Sequence, residues 1–150
     1  MPASQAEQPL INAASALSPP VLLTEAQLQR LSPAALAYLG DAVYELYVRL
    51  CFLYPPKKAQ LYHRQVVDHV CAESQANRLR SLESHLTPLE QEILRRGRNA
   101  SSKRHKRIDP DVYQQASSLE TLIGYLYLSD PQRLLQLLTI IQTAIAQADR

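Results

Sequence analysis

Apolar residues recur at helical spacing along most of this chain, and no segment shows the sustained alternation of valine, isoleucine and threonine that β-strands favour. The C-terminal part is the clearest case, because it carries an apolar stripe made of Leu134, Leu135, Leu138 and Ile141. Only 3 glycines interrupt the pattern. It therefore predicts an all-α protein.

Four helices can be placed by their first residues, because in each of them a serine, threonine or aspartate is followed directly by proline. This is the pattern of an N-cap residue and the first helical position. The four pairs are Ser32-Pro33, Thr87-Pro88, Asp109-Pro110 and Asp130-Pro131. The first of these helices is predicted to run to about Leu53, where two prolines follow Tyr54 and stop it.

The other boundaries rest on single residues. Thr87 and Glu90 form a capping box, and the helix they open is predicted to end at Gly97. A short helix over residues 24–30 and a long one over residues 59–83, broken at most once, complete a set of six. The one long gap is the polar segment 98–108, and a loop of this kind is more typical of a functional or mobile segment than of a structural one.

Composition bounds the domain organisation. A chain of 150 residues that is 46% hydrophobic and 20% charged can form one domain with a real core. Residues 1–22 are small, polar or proline-bearing without Lys or Arg, which predicts a disordered tail ahead of a domain over residues 23–150. No apolar stretch approaches the roughly 20 residues of a membrane span, so we expect a soluble, cytoplasmic protein. Cys51 and Cys71 lack the spacing of zinc ligands.

Charge is distributed very unevenly behind a formal net charge of +2. Residues 95–107 contain seven Lys or Arg and no acid, so the rest of the chain holds 9 of the 16 bases against all 14 acids. An acidic body therefore carries one strongly basic segment, which is typical of a surface that binds a polyanion.

Two acidic side chains stand inside apolar helical runs. Asp41 follows Gly40 in the first long helix, and Glu120 precedes Gly124 in a later one, where the missing side chain permits close approach of another helix. An ionised group is costly in such surroundings unless something compensates it. Solvent exposure, a salt bridge and a shared cation would each do so. Glu45, four residues after Asp41, could equally well pair with Arg49.

These segments resemble the two acidic helices of ribonuclease III domains. Residues 36–49 are similar to the signature helix of that family, and residues 119–128 are similar to its second acidic helix. Segments 61–64, 72–76 and 96–100 extend the resemblance, which covers about residues 30–142 in register. The most similar subfamily is Mini-ribonuclease III, which has the nuclease domain without a domain for binding double-stranded RNA.

The resemblance implies a single ribonuclease III-like helical domain that acts as a homodimer and hydrolyses double-stranded RNA with Mg²⁺, for which Mn²⁺ is the expected substitute. Asp41 and Glu120 match the catalytic, metal-binding acids, and Glu45 is a further candidate ligand. Hard carboxylate oxygens suit Mg²⁺. The implied substrate is precursor 23S ribosomal RNA, with ribosomal proteins as further candidate partners. Tyr44 and Tyr47 fit either the dimer interface or the core.

RNA affinity would then come from the nuclease domain itself, through phosphate and 2′-hydroxyl contacts that read shape. The candidate RNA-binding residues are His63, Arg64, Arg95, Arg98, Asn99, Lys103, Arg104, Lys106 and Arg107. For the basic segment the alternative is a solvated loop without a ligand, and for His63 and Arg64 it is an ordinary helix surface.

The chain departs from the family pattern at two positions. Ala37 and Ser117 stand where many ribonuclease III domains have a glutamate and an aspartate. This keeps open an alternative function, a catalytically inactive RNA-binding or ribosome-assembly protein with the same fold. A second alternative is a helical protein-interaction module whose basic loop binds an acidic partner.

Overall fold

The computed structural model describes residues 22–101 and 107–148, and within these ranges every element is helical. The elements are α1 (Glu25–Gln29), α2 (Pro33–Leu53), α3 (Ala59–Val70), α4 (Ala72–Leu82), a 3₁₀ turn (Glu83–His85), α5 (Pro88–Ala100), α6 (Pro110–Ser129) and α7 (Pro131–Ala148). The all-α prediction is confirmed. Residues 1–21 of the predicted tail and residues 102–106 of the basic segment lie outside the described ranges.

The predicted caps open the helices as expected. The Ser32 hydroxyl accepts a hydrogen bond from the Ala35 amide at 3.1 Å. Thr87 and Glu90 form both bonds of the capping box, at 3.2 and 2.9 Å. Asp109 and Asp130 accept from backbone amides of the helices that follow them. The helix predicted over residues 59–83 is broken once, at Cys71, whose extended backbone separates α3 from α4.

One boundary was wrong. Helix α5 does not end at Gly97 but continues to Ala100, and Gly97 is buried inside it. A Cβ added at Gly97 would lie 2.6 Å from the Thr121 hydroxyl oxygen and 3.0 Å from the Ser118 Cα. The glycine is therefore required for close approach of α5 to α6 and does not cap the helix. The predicted loop is correspondingly shorter, because residues 98–100 are helical.

Helix α6 lies at the centre of the fold and packs against α2, α5, α4, α7 and α1. Its Leu119, Leu122 and Ile123 are buried in a core to which α2, α4, α5 and α7 also contribute. Tyr44 and Tyr47 belong to this core, which decides between the two roles open for them from the sequence. No described helix is both long and apolar enough to cross a membrane.

Candidate active site

The site is built where α2 and α6 cross with their backbones in contact. A Cβ added at Gly40 would lie 1.8 Å from the Glu120 carbonyl oxygen, and one added at Gly124 would lie 2.1 Å from the Leu36 carbonyl oxygen. Any side chain at either position would force the helices apart. The close approach inferred for Gly124 is therefore confirmed. It brings Asp41, the neighbour of Gly40, to the part of α6 that carries Glu120.

Asp41 and Glu120 line one open cavity of about 320 Å³. The N-terminal half of α2, the C-terminal end of α5 and the N-terminal half of α6 form its walls. Tyr38 also lines it and is 86% exposed, which is unusual for an aromatic ring and leaves this ring free to contact a ligand. The two acids predicted as a pair thus face the same space, although they are 79 residues apart in the chain.

Both carboxyls resist ionisation in the absence of a cation. The pKa of Glu120 is raised to about 7, mainly by burial and then by the nearby charge of Asp41, while the neighbouring Gln75 amide opposes the shift. The pKa of Asp41 is raised by its own burial and by the charge of Glu45. An exposed Asp41 and a half-buried Glu120, whose ionised form is disfavoured by burial and by the charge of Asp41, together favour binding of a cation.

Glu45 has a partner of its own. Its carboxylate accepts a hydrogen bond from Arg49 at 2.7 Å, which is the ion pair anticipated from the spacing. Glu45 does not line the cavity. Within the described residues, no three His, Cys, Asp or Glu side chains converge as a ligand group. A role for Glu45 as a metal ligand stays a prediction.

The two positions that depart from the family pattern face the same cavity. Ala37 and Ser117 both line it, so a methyl group and a hydroxyl occupy the walls beside Asp41 and Glu120. Two carboxylates are still enough for Mg²⁺, because this ion keeps several waters and commonly binds through one or two protein carboxylates. The Ser101 hydroxyl on the same wall is buried without a hydrogen-bond partner among the described residues. The donor set of the cavity therefore fits a hydrated Mg²⁺ ion.

The residues predicted to bind RNA have several placements. Gly97, Ala100 and Ser101 line the cavity, whereas the exposed Arg98 lies on another side of α5 and lines a separate cavity with Arg95. Asn99 is exposed near the C-terminal end of α5. Arg95 is exposed and paired with Glu92 at 2.6 Å. His63 and Arg64 are exposed on α3, which packs mainly against α2, and Arg107 is exposed before α6. Lys103, Arg104 and Lys106 fall outside the described residues.

Gln75 beside Glu120 was not found from the sequence. It lies on α4 and is 1% exposed, a degree of burial that is unusual for an amide. A signal was present, because Gln75 occupies the same helical stripe as Leu79 and Leu82, four and seven residues later. A polar residue on an apolar stripe indicates a specific buried contact.

Comparison with known proteins identifies the family of this chain. The model of the ribonuclease III domain matches residues 34–131. A protein named Mini-ribonuclease 3 from Synechocystis sp. is 56% identical over 114 residues, which cover 76% of this chain and 80% of that protein. The Mini-ribonuclease 3 of Thermosynechococcus vestitus is 52% identical over 112 residues, or 75% of this chain and 74% of its own. The crystal structure of protein FN1578 from Fusobacterium nucleatum superimposes with a TM-score of 0.71 at 24% identity, covering 81% of this chain and 98% of that one, which supports the fold.

Proposed function

Because this chain belongs to the ribonuclease III domain family and is an endoribonuclease of the Mini-ribonuclease 3 type, we propose that it hydrolyses double-stranded RNA with Mg²⁺ bound by Asp41 and Glu120. The observation that carries the proposal is the meeting of these two acids in one open cavity. Neither acid has a positively charged partner among the described residues, whereas Glu45, Glu90 and Glu92 all do.

Asp41 and Glu120 are the residues that would hold the ion. When bound, Mg²⁺ would supply Lewis-acid stabilisation of the phosphate and lower the pKa of bound water. The chain's own part is to fix both carboxylates on helices held by the contact between Gly40 and Gly124. Helical placement makes the spacing of the ligands more precise than loops would allow.

RNA would lie across the cavity and be held by cations of the basic segment 95–107, which begins on α5. Arg98 and Asn99 are exposed in the last turn of α5, the helix whose Gly97 and Ala100 line the cavity. Guanidinium groups there can neutralise phosphates, and such contacts recognise the shape of an A-form duplex in preference to its sequence. The remaining candidates are Arg95, His63, Arg64, Lys103, Arg104, Lys106 and Arg107.

A homodimer completes the proposed enzyme, with each subunit cutting one strand. In support, α2 and its neighbour α3 expose several large apolar side chains. Leu46, Leu53, Leu61 and Val67 are each between 44% and 49% exposed. Helix α3 is fixed to α2 by a hydrogen bond from the Tyr62 hydroxyl to the Arg49 carbonyl oxygen, at 2.6 Å. Apolar side chains concentrated on adjoining helices are typical of an interface.

The proposed substrate is precursor 23S ribosomal RNA in the cytoplasm, with ribosomal proteins as further partners. This rests on the expectation from the sequence, while the relatives' name, Mini-ribonuclease 3, supports the ribonuclease activity alone. A ribosomal RNA precursor supplies base-paired stems that could occupy the cavity and be neutralised by the basic segment 95–107. Comparing cleavage of a precursor 23S stem with that of an unrelated duplex of equal length tests the choice of substrate.

The activity itself is tested by incubating a long RNA duplex with the full chain and Mg²⁺, with EDTA, and with Asp41→Asn. We expect cleavage only in the first case. Asp41→Asn should lower the rate by at least about 100-fold, since even loss of a residue that merely orients a metal ligand costs 10–100-fold. The matched control is Asp68→Asn, an exposed aspartate on α3, which should cleave normally.

Undiminished cleavage by Asp41→Asn would refute the assignment. Duplex binding without cleavage under every condition would support the second candidate, an RNA-binding protein that keeps the fold. The presence of Ala37 and Ser117 in the cavity is the observation that favours that candidate.

A further inference from the structure

Gln75 is a buried amide with an unused donor. It is 1% exposed, and its Nε2 is buried without a hydrogen-bond partner among the described residues. Its neighbours on the same stripe of α4, Leu79 and Leu82, are 3% and 0% exposed and offer it nothing polar. A buried amide without a partner is destabilising, so its retention here calls for an acceptor that it meets at some stage.

Glu120 is the acceptor next to it. Helix α4 packs directly on α6, and the Gln75 amide is near enough to the Glu120 carboxyl to favour its ionised form. The two groups are near each other without a formed hydrogen bond, since Nε2 has no partner among the residues that the structure describes. Gln75 does not line the cavity, whereas Glu120 does. The amide therefore reaches Glu120 from the protein interior and cannot itself be a ligand of an ion in the cavity.

We propose that Gln75 is a positioning residue for Glu120: its amide N–H holds one carboxylate oxygen and thereby directs the other oxygen toward the cation. The proposal deepens the proposed function and rests on it. Carboxylates that bind metals are commonly held by such hydrogen bonds. The need is greater here because Ala37 and Ser117 supply no further carboxylate, so the orientation of Glu120 decides half of the protein's contribution to the site.

The test measures binding of Mn²⁺ to the full chain without RNA, by electron paramagnetic resonance, for the wild type, Glu120→Gln, Gln75→Met and Gln115→Met. Methionine keeps the length of glutamine and removes the donor. Gln115 is the matched control, because it is a half-buried glutamine on α6 whose Oε1 is also buried without a hydrogen-bond partner among the described residues. We expect Gln75→Met to weaken Mn²⁺ binding by about 10-fold or more and Gln115→Met to leave it unchanged.

A second measurement separates positioning from general damage to the structure. In duplex cleavage, Gln75→Met should raise the Mg²⁺ concentration needed for half-maximal rate, while kcat at saturating Mg²⁺ and the KM for RNA stay near those of the wild type. If Gln75 only stabilised the structure, the substitution would lower the fraction of active protein and leave the Mg²⁺ concentration for half-maximal rate unchanged.

A folded Gln75→Met protein that binds Mn²⁺ as tightly as the wild type would overturn the inference. Should this variant not fold, Gln75→Asn keeps an amide in the core but withdraws it by about 1.5 Å, one carbon–carbon bond. It should also weaken Mn²⁺ binding, and wild-type affinity in it would overturn the inference equally. If Glu120→Gln itself binds Mn²⁺ normally, the proposed metal site fails, and that outcome is distinct from a failure of Gln75 alone.

Discussion

Replacing Gly40 by alanine tests how the site is assembled. The new Cβ would lie 1.8 Å from the Glu120 carbonyl oxygen, 2.7 Å from its carbonyl carbon and 2.9 Å from the Gly124 nitrogen. Ordinary contact begins at 3.4 Å, so α2 and α6 would have to separate by up to 1.6 Å at this level. All three atoms are backbone, so no side-chain rotation can relieve the clash.

The magnitude follows from two opposing effects. Alanine in a helix is favoured over glycine by about 1 kcal/mol, whereas overpacking a tight interface costs about 3 kcal/mol at the upper end of its range. We therefore expect a net loss of about 2 kcal/mol in the free energy of unfolding. Because the strain falls on the peptide of Glu120 itself, cleavage should drop by about 100-fold, as a displacement of about 1 Å does in other active sites.

Urea denaturation and the rate of duplex cleavage measure the two effects. The matched control is Ala42→Gly on the exposed side of the same helix, which should lose about 1 kcal/mol through helix propensity but cleave normally. A Gly40→Ala protein that becomes more stable by about 1 kcal/mol and keeps its activity would show that the two helices are not in the close contact described here.

Three further predictions concern charge and packing. Arg133 is bound to the buried Glu90 at 2.7 and 3.1 Å, so Arg133→Met should cost about 2–3 kcal/mol in urea denaturation, somewhat below the 3–5 kcal/mol of a fully buried pair. Since this pairing lowers the pKa of Glu90, its contribution should be present above pH 4.5 and be lost as pH falls further, and the variant should lack that acid dependence. The pKa of Glu120 is raised from 4.5 to about 7, so the folded protein holds a proton there that the unfolded chain releases. In thermal unfolding with EDTA, the stability of the wild type should therefore fall by up to about 3 kcal/mol as pH rises from 4.5 to 7. The stability of Glu120→Gln should not show this fall. The Tyr47 hydroxyl donates to the Leu138 carbonyl oxygen at 3.1 Å, so Tyr47→Phe should cost about 1 kcal/mol and leave cleavage intact; a larger loss of activity than of stability would contradict this.

The beginnings of the helices were predictable because their caps are local. Each capping bond joins residues two or three positions apart, so Ser32, Thr87 and Asp130 could be recognised from the sequence beside them. The end of α5 was not predictable in this way. Gly97 looks like a helix terminator in sequence, but its role is set by contact with Thr121, which lies 24 residues further along the chain.

The same distinction between local and long-range features applies to the site. Asp41 and Glu120 could be selected because each is a charge among apolar neighbours in the sequence, although in the structure only Glu120 is half-buried and Asp41 is exposed. The two acids come together because the helices touch at Gly40 and Gly124. The sequence shows that these residues are small, but it does not show that they lie against each other. Gln75 lies on a third helix, so the role proposed for it could be inferred only from the packing of α4 on α6.

The central claim is that Asp41 and Glu120 together bind the divalent cation used in cleavage. The most direct test is a crystal of the full chain soaked in Mn²⁺, with anomalous diffraction measured at the manganese absorption edge. The account predicts an anomalous peak in the cavity, within coordination distance of an oxygen from each carboxylate, that disappears in Asp41→Asn. A peak bound elsewhere, or one that persists unchanged in that variant, would contradict it.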